Sequence, residues 1–158
     1  MKILVVSDTH GILGYLQDVA ERVGKVDIMI HLGDVISDAD FIRSWFDCPC
    51  HMVRGNCDFD VSLPGEEVIE VGKHRIFITH GHAYHVGFGT EMLKDAARDR
   101  GCDIALYGHT HVPYVEYGDI CVANPGSVTS PRQEDGKHSY MLLEFDQHDN
   151  PFFNINYI

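Results

Sequence analysis

A chain of 158 residues, 44% hydrophobic and 23% charged, is long enough to bury a core as one domain spanning 1–158. Its formal net charge of −12 repels polyphosphates and argues against tight binding to long DNA or RNA. No apolar run approaches the ~18 residues of a membrane span, and the stretch MKILVVSDTHG is too polar for a secretory signal. An odd count of five cysteines speaks against a disulfide framework, so a reducing, cytoplasmic setting is expected.

The first apolar run, KILVVSDTH (2–10), reads as a buried strand that ends in a polar cluster. A helix is predicted over about 12–23, with Leu13, Leu16, Val19, Ala20 and Val23 on one face and Gly24 as its stop. VDIMIHLGD is the second strand. A helix over about 38–46 follows Ser37, a candidate N-cap with Asp40 three positions on. HMVRGNCD is the third strand, and EEVIEVGKHRIFIT reads as two strands joined by a tight Gly72-Lys73 turn. A third helix is predicted over about 90–100, with Met92, Leu93, Ala96 and Ala97 facing inward. DIALYGHTH closes this part. Beyond residue 112 the strand patterns YVEYGDICVAN, SYMLLEFDQ and PFFNINYI look antiparallel, and Thr129–His138 reads as a loop. Strand–helix alternation followed by strands alone predicts an α/β sandwich: two packed sheets with helices outside. The apolar last strand is either a covered edge or a surface for a second copy of the chain, a homo-oligomer.

In open α/β sheets, ligands bind outside the carboxyl ends of the strands. Five polar clusters fall at such ends. Asp8 and His10, two apart in an extended segment, can reach one ion, and His109 and His111 repeat the spacing. Asp34 and Asn56 each follow a glycine, and His80 precedes Gly81-His82. The sum is two carboxylates, one amide oxygen and four imidazoles. Any one of these histidines alone is more often structural, but together seven donors exceed one transition-metal ion. They suit two divalent ions sharing a bridging carboxylate. Mixed imidazole and oxygen ligation suits Mn²⁺, Ni²⁺, Zn²⁺ or Fe²⁺, and its carboxylate and amide oxygens tilt it toward Mn²⁺, with Mg²⁺ a further alternative. Such a pair activates a water and clamps the oxygens of a displacement at phosphorus. Competing readings are weaker. A zinc site on Cys48, Cys50 and Cys57 lacks C-x₂-C spacing. Cys57 as a nucleophile leaves Asp8, His10, Asp34, His109 and His111 without a role.

The motifs DTH (8–10), GD (33–34), GNCD (55–58), THGH (79–82) and GHTH (108–111) resemble those of the calcineurin-like metallophosphoesterase superfamily. NPGS (124–127) followed by PR (131–132) makes the chain similar to the small YfcE-type phosphodiesterase subfamily. The resemblance implies a four-layer α/β/β/α sandwich of two mixed sheets, the metallo-dependent phosphatase fold. It further implies that Asp8, His10 and His111 hold one ion, that Asn56, His80 and His109 hold the other, and that Asp34 bridges. His31, His51, His74, His138 and His148 match no ligand position and are read as structural. Many monoesterases of the superfamily carry GNH, where this chain has Cys57. A thiol is a poor proton donor to a leaving alkoxide, so the expected activity is hydrolysis of small phosphodiesters, by in-line attack of a hydroxide shared by two metal ions. Catalysis would engage Asp34, Asn56 and His82, with His82, a metal-bound water or His85 as the proton source. Asn56, Cys57, His82 and Arg132 would line the substrate, Asn124 and Ser127 would shape the loop behind the site, and Asp58 would fix its own loop. The alternatives are a phosphomonoesterase, a cyclic-nucleotide phosphodiesterase, or a non-catalytic scaffold such as the retromer's vacuolar sorting subunit. Such scaffolds lose ligand residues, whereas this chain keeps all seven.

Overall fold

A computed structural model of the chain describes residues 1–37, 39–59 and 62–158. In chain order its elements are β1 (Lys2–Val6), α1 (Gly14–Val23), β2 (Ile28–His31), α2 (Ala39–Arg43), β3 (Cys50–Met52), β4 (Glu66–Val71), β5 (His74–Thr79), α3 (Glu91–Asp99), β6 (Ile104–Leu106), β7 (Pro113–Glu116), β8 (Cys121–Pro125), β9 (Ser139–Phe145) and β10 (Pro151–Tyr157). They form two five-stranded sheets, ordered β10-β9-β1-β2-β3 and β4-β5-β6-β8-β7. Strands β1, β2 and β3 are parallel, as are β5, β6 and β8, and the remaining pairings are antiparallel.

Alternation along β1 shows why the layers stack as they do. Ile3 and Val5 point into the core between the sheets, with Ile30 and Leu32 beside them and Ile76, Ile78, Ile104 and Leu106 opposite. Leu4 and Val6 point outward against Leu16 and Val19 of α1 and Ile42 of α2. On the other outer face, Phe77, Ala105 and Val122 pack under Leu93, Ala96 and Ala97 of α3. The result is the four-layer α/β/β/α sandwich. Each fully buried Leu, Ile or Phe contributes about 1.5–3 kcal/mol to holding it.

Several expectations need correcting. Helix α1 begins at Gly14 rather than near residue 12. The second helix spans Ala39–Arg43; Asp38, where it was expected to start, lies outside the described residues, as do Asp60 and Val61. Trp45 and Phe46 fall beyond its end and cover the outer core without helical backbone. On α3, Met92 faces water at 53% exposure. Leu93, Ala96 and Ala97, at i, i+3 and i+4, already fill the stripe that meets the sheet, and Met92 lies about 100° away from it. YVEYGDICVAN divides into β7 and β8, an antiparallel hairpin, yet β8 pairs in parallel with β6 through Ile104 and Cys121. The reason is positional: β7 takes the sheet edge, so its return strand slots in beside β6.

All five polar clusters follow the carboxyl ends of parallel strands. Asp8 follows β1, Asp34 follows β2, Asn56 follows β3, His80 follows β5 and His109 follows β6. The two sheets present those ends on the same side, which gathers the clusters.

Candidate metal centre

The backbone brings the donors together by a route the spacing alone does not predict. Asp8, His10, Asp34, His109 and His111 all adopt left-handed backbone, with φ of 57, 46, 53, 67 and 59°. These are five of eight such non-glycine positions among the described residues. Asp8 and His10 are therefore not side by side on an extended strand; the chain curls so that both side chains turn inward. Left-handed backbone costs roughly 1–2 kcal/mol per residue away from glycine, so the surroundings must hold it in place. Asp8 N–H donates to Gly33 O at 3.0 Å and His10 N–H to Asp34 O at 2.9 Å, stitching the first loop to the second. A side chain at Gly55 would place its Cβ 2.1 Å from Asp34 Oδ1, and one at Gly108 would come 2.0 Å from Ser7 Oγ. Only glycine lets these backbones approach the carboxylates so closely.

The side chains converge. His111 Nε2 lies 3.1 Å from Asp8 Oδ1 and 3.3 Å from His10 Nε2. His10 Nε2 is 3.7 Å from Asp34 Oδ2, and His80 Nε2 is 3.4 Å from the same oxygen. Asp34 Oδ2 thus sits between the two halves, while Oδ1 accepts the Cys57 N–H at 2.8 Å. Asp8 with His10 and His111, and Asp8 with Asp34 and His80, each form a cluster whose ligand atoms lie within 4.8 Å of one another. The His109 ring stands 5.2 Å from the His80 ring, centroid to centroid. Asn56 is exposed on its loop, with Nδ2 3.4 Å from Cys57 Sγ and Oδ1 making no hydrogen bond among the described residues.

The electrostatics fit divalent cations. His80 donates Nδ1–H to Leu32 O at 2.7 Å, and His111 donates Nδ1–H to Ser130 O at 2.6 Å. A neutral ring so held aims its Nε2 lone pair at the carboxylates. Asp8 Oδ1 and His80 Nε2 are buried with no hydrogen-bond partner among the described residues. Buried polar atoms left in that state are costly, and lone pairs facing carboxylates call for a positive charge between them. Burial opposes charge on His80, but the neighbouring carboxylates of Asp34 and Asp8 prevail and raise its pKa. Burial likewise pushes Asp34 upward, yet His80 and the Cys57 N–H hold it well below the usual carboxylate range. Asp8 is lowered in the same way, against burial, by His111, His80 and Ser7.

Around this centre, Asp58 fixes its loop as expected: Oδ1 accepts Ile36 N–H and Oδ2 accepts Gly55 N–H, both at 2.8 Å. Asn124 donates to Gly108 O and Ser127 Oγ donates to Asp8 O, at 2.8 and 2.9 Å. His82 is exposed at the start of a 3₁₀ turn, its ring 5.5 Å from His80 and 6.1 Å from His109. Arg132 touches the site through its backbone, N–H to His111 O at 3.1 Å, while its side chain is exposed. Sequence reasoning missed Ser7, whose Oγ donates to Asp8 Oδ2 at 2.6 Å, and Thr129, whose Oγ1 donates to Asp8 O at 2.8 Å. A hydroxyl beside the first aspartate was the available signal for Ser7; Thr129 had none.

The family model of the calcineurin-like phosphoesterase superfamily domain matches residues 1–148. The chain belongs to the calcineurin-like phosphoesterase superfamily. Phosphodiesterase YfcE of Escherichia coli is 31% identical over 172 residues, covering 92% of this chain and 89% of that one. A conserved Streptococcus pneumoniae protein described as a predicted phosphoesterase superposes with a TM-score of 0.83 at 34% identity, covering 99% of this chain and 88% of that one. A single mutant of Vps29 from Entamoeba histolytica superposes with a TM-score of 0.80 at 26% identity, covering 100% and 99%. As a member of this superfamily the chain is a phosphoesterase-type hydrolase with a site for divalent metal ions. No helix among the described residues is long and apolar enough to cross a membrane.

Proposed function

We propose that the chain is a phosphodiesterase that hydrolyses small diesters with two divalent ions. Asp8, His10 and His111 would hold one ion, and Asn56, His80 and His109 the other. Asp34 would serve both, since its Oδ2 faces His10 on one side and His80 on the other. The observation that carries the reading is the pair of buried, unpartnered atoms Asp8 Oδ1 and His80 Nε2, 3.9 Å apart and clustered with that carboxylate. When bound, the ions supply the nucleophile and the charge neutralisation for in-line displacement at phosphorus. The carboxylate and amide oxygens in this mixed set favour Mn²⁺ among the ions that also accept imidazole.

The chain's own residues set the ester class. Burial, with the Asp34 carboxylate next, pushes the Cys57 thiol up, so it stays protonated and is neither nucleophile nor ready acid. Burial, with neighbouring His80 next, pushes the His82 pKa down, which favours its neutral ring and weakens it as a proton source. The GNH histidine of many monoesterases in the superfamily is absent here, and YfcE is named a phosphodiesterase, which together support a diester. All five cysteines are free, which supports a reducing, cytoplasmic setting. A scaffold that holds no metal would have no use for the two unpartnered atoms.

The test loads metal-free protein in turn with Mn²⁺, Ni²⁺, Zn²⁺, Fe²⁺ and Mg²⁺ and compares bis(p-nitrophenyl) phosphate with p-nitrophenyl phosphate. Faster diester turnover, best with Mn²⁺ and abolished by chelator, is expected; no turnover with any ion sinks the reading. Cys57→His should gain monoesterase activity, and an unchanged preference would detach Cys57 from specificity.

A further inference from the structure

Directly beside the metal centre is a cavity of about 210 Å³ whose walls include Ile36, Cys57, Phe59 and Leu63. Cys57 belongs to both places. Its Sγ lies within 4.8 Å of ligand atoms of His10 and Asp34, and its N–H donates to Asp34 Oδ1. The cavity therefore opens off the edge of the centre, one residue away from the central carboxylate.

Three features of its walls point to a ligand. Ile36 has φ of 47°, an outlying conformation for a β-branched residue. Asp58 holds it there by accepting its N–H, and strain of this kind is kept where surroundings impose it for a purpose. Phe59 is 95% exposed and Ile36 46%, so two large apolar groups stand open to water at the mouth of a site. Among the described residues no lysine or arginine lines the cavity, and both oxygens of Asp58 are engaged by backbone N–H groups. Among the described residues nothing here answers a second anionic group on the substrate.

Resting on the diesterase reading above, we propose that this cavity takes the non-leaving ester arm of the diester, a flat, uncharged aromatic group that stacks on Phe59 between Ile36 and Leu63. A monoester has no such arm and leaves the cavity empty, so the apolar wall adds to the diester preference from the side opposite the chemistry.

Two diesters with the same p-nitrophenolate leaving group isolate the arm: bis(p-nitrophenyl) phosphate and methyl p-nitrophenyl phosphate. The kcat/KM ratio favouring the bis-aryl ester should fall at least about five-fold in Phe59→Ala and in Ile36→Gly, the scale of one lost aromatic stack. Phe152→Ala, an exposed aromatic on β10, should keep the wild-type ratio. In parallel, calorimetry with Mn²⁺-loaded protein should find phenylphosphonate binding more tightly than methylphosphonate, with the difference lost in Phe59→Ala. Diester turnover with one ratio across all variants overturns the subsite and leaves the diesterase reading standing. No turnover, but a phenyl preference that Phe59→Ala erases, overturns the diesterase reading and keeps the subsite.

Discussion

Two buried histidines bracket β5 and do opposite things. His74 begins the strand at 7% exposure, and His80 follows its last residue at 0%. His74 uses both ring nitrogens: Nδ1 meets Asp103 Oδ2 at 2.5 Å and Nε2 meets Asp149 O at 2.8 Å. Its ring stacks on Phe145, and Asp103 is further held by Arg75 N–H. His80 uses Nδ1 alone and leaves Nε2 facing two carboxylates. Burial is shared, so burial does not distinguish a structural histidine from a ligand. Satisfaction does: a complete hydrogen-bond set holds the fold, while an incomplete set beside carboxylates stores affinity for a cation.

The most severe way to break this comparison is to remove the charge that His80 faces. Asp34→Asn keeps the shape and the Cys57 N–H acceptor but leaves both halves of the centre without their shared carboxylate. Diesterase activity should fall roughly 10³-fold or more, with metal content reduced by elemental analysis. Activity within tenfold of wild type would mean that the unpartnered atoms do not mark the centre.

His31 sharpens the contrast, because it lies at the metal end yet is satisfied like His74. Gly33 N–H donates to its Nδ1 at 3.2 Å, and its Nε2 bonds Thr9 Oγ1 at 3.0 Å. Burial pushes its pKa down to about 4 from 6.5. Between those values the unfolded chain binds a proton that the folded one refuses. Stability of the metal-free protein should therefore fall as pH drops from 6.5 toward 4, by roughly 3 kcal/mol from this residue, and level off below. Urea midpoints at pH 7 and 4.5 measure it; His31→Gln should flatten the dependence, and an equally steep profile would refute the assignment.

How much of this was legible in the sequence follows from where the information resides. Asp8, Asp34, His80 and His109 could be placed because short apolar runs end abruptly in polar groups, and parallel strands bring their ends together. The two faces of α1 could be read from Leu16 and Val19. The parallel pairing of β8 could not, since strand order is set by packing between distant segments and not by local alternation. Nor could the inward turn of Asp8 and His10, which depends on left-handed backbone enforced by contacts with residues 33–35. The partners that orient His80 and His111 are carbonyls of Leu32 and Ser130, and a carbonyl is common to every residue.

A paired substitution tests the two ends of β5 against each other. His74→Gln should cost about 1–3 kcal/mol of stability, because Asp103 loses a partner, while metal affinity holds. His80→Gln should reverse the pattern, with a smaller stability change and metal affinity lower by roughly 10–100-fold. Thermal melts with and without metal read both at once. Matching effects from the two variants would erase the distinction between a satisfied and an unsatisfied histidine.

The finest test moves one bond further from the donors. Ser127 and Ser139 are both fully buried, and each donates its hydroxyl to a carbonyl: Ser127 to Asp8 at 2.9 Å and Ser139 to Pro125 at 2.8 Å. Ser127 Oγ also accepts N–H groups of Thr129 and Ser130, and the Ser130 carbonyl is what orients His111. One hydroxyl thus supports two proposed ligands of the same ion, whereas Ser139 supports the sheet junction alone. Ser127→Ala should weaken metal binding about tenfold, the lower end of what supporting partners contribute. Ser139→Ala should cost a comparable ~1 kcal/mol of stability and leave metal binding in place. Equal metal affinity in the two variants, measured by calorimetry, would place the control of the centre in its donors alone.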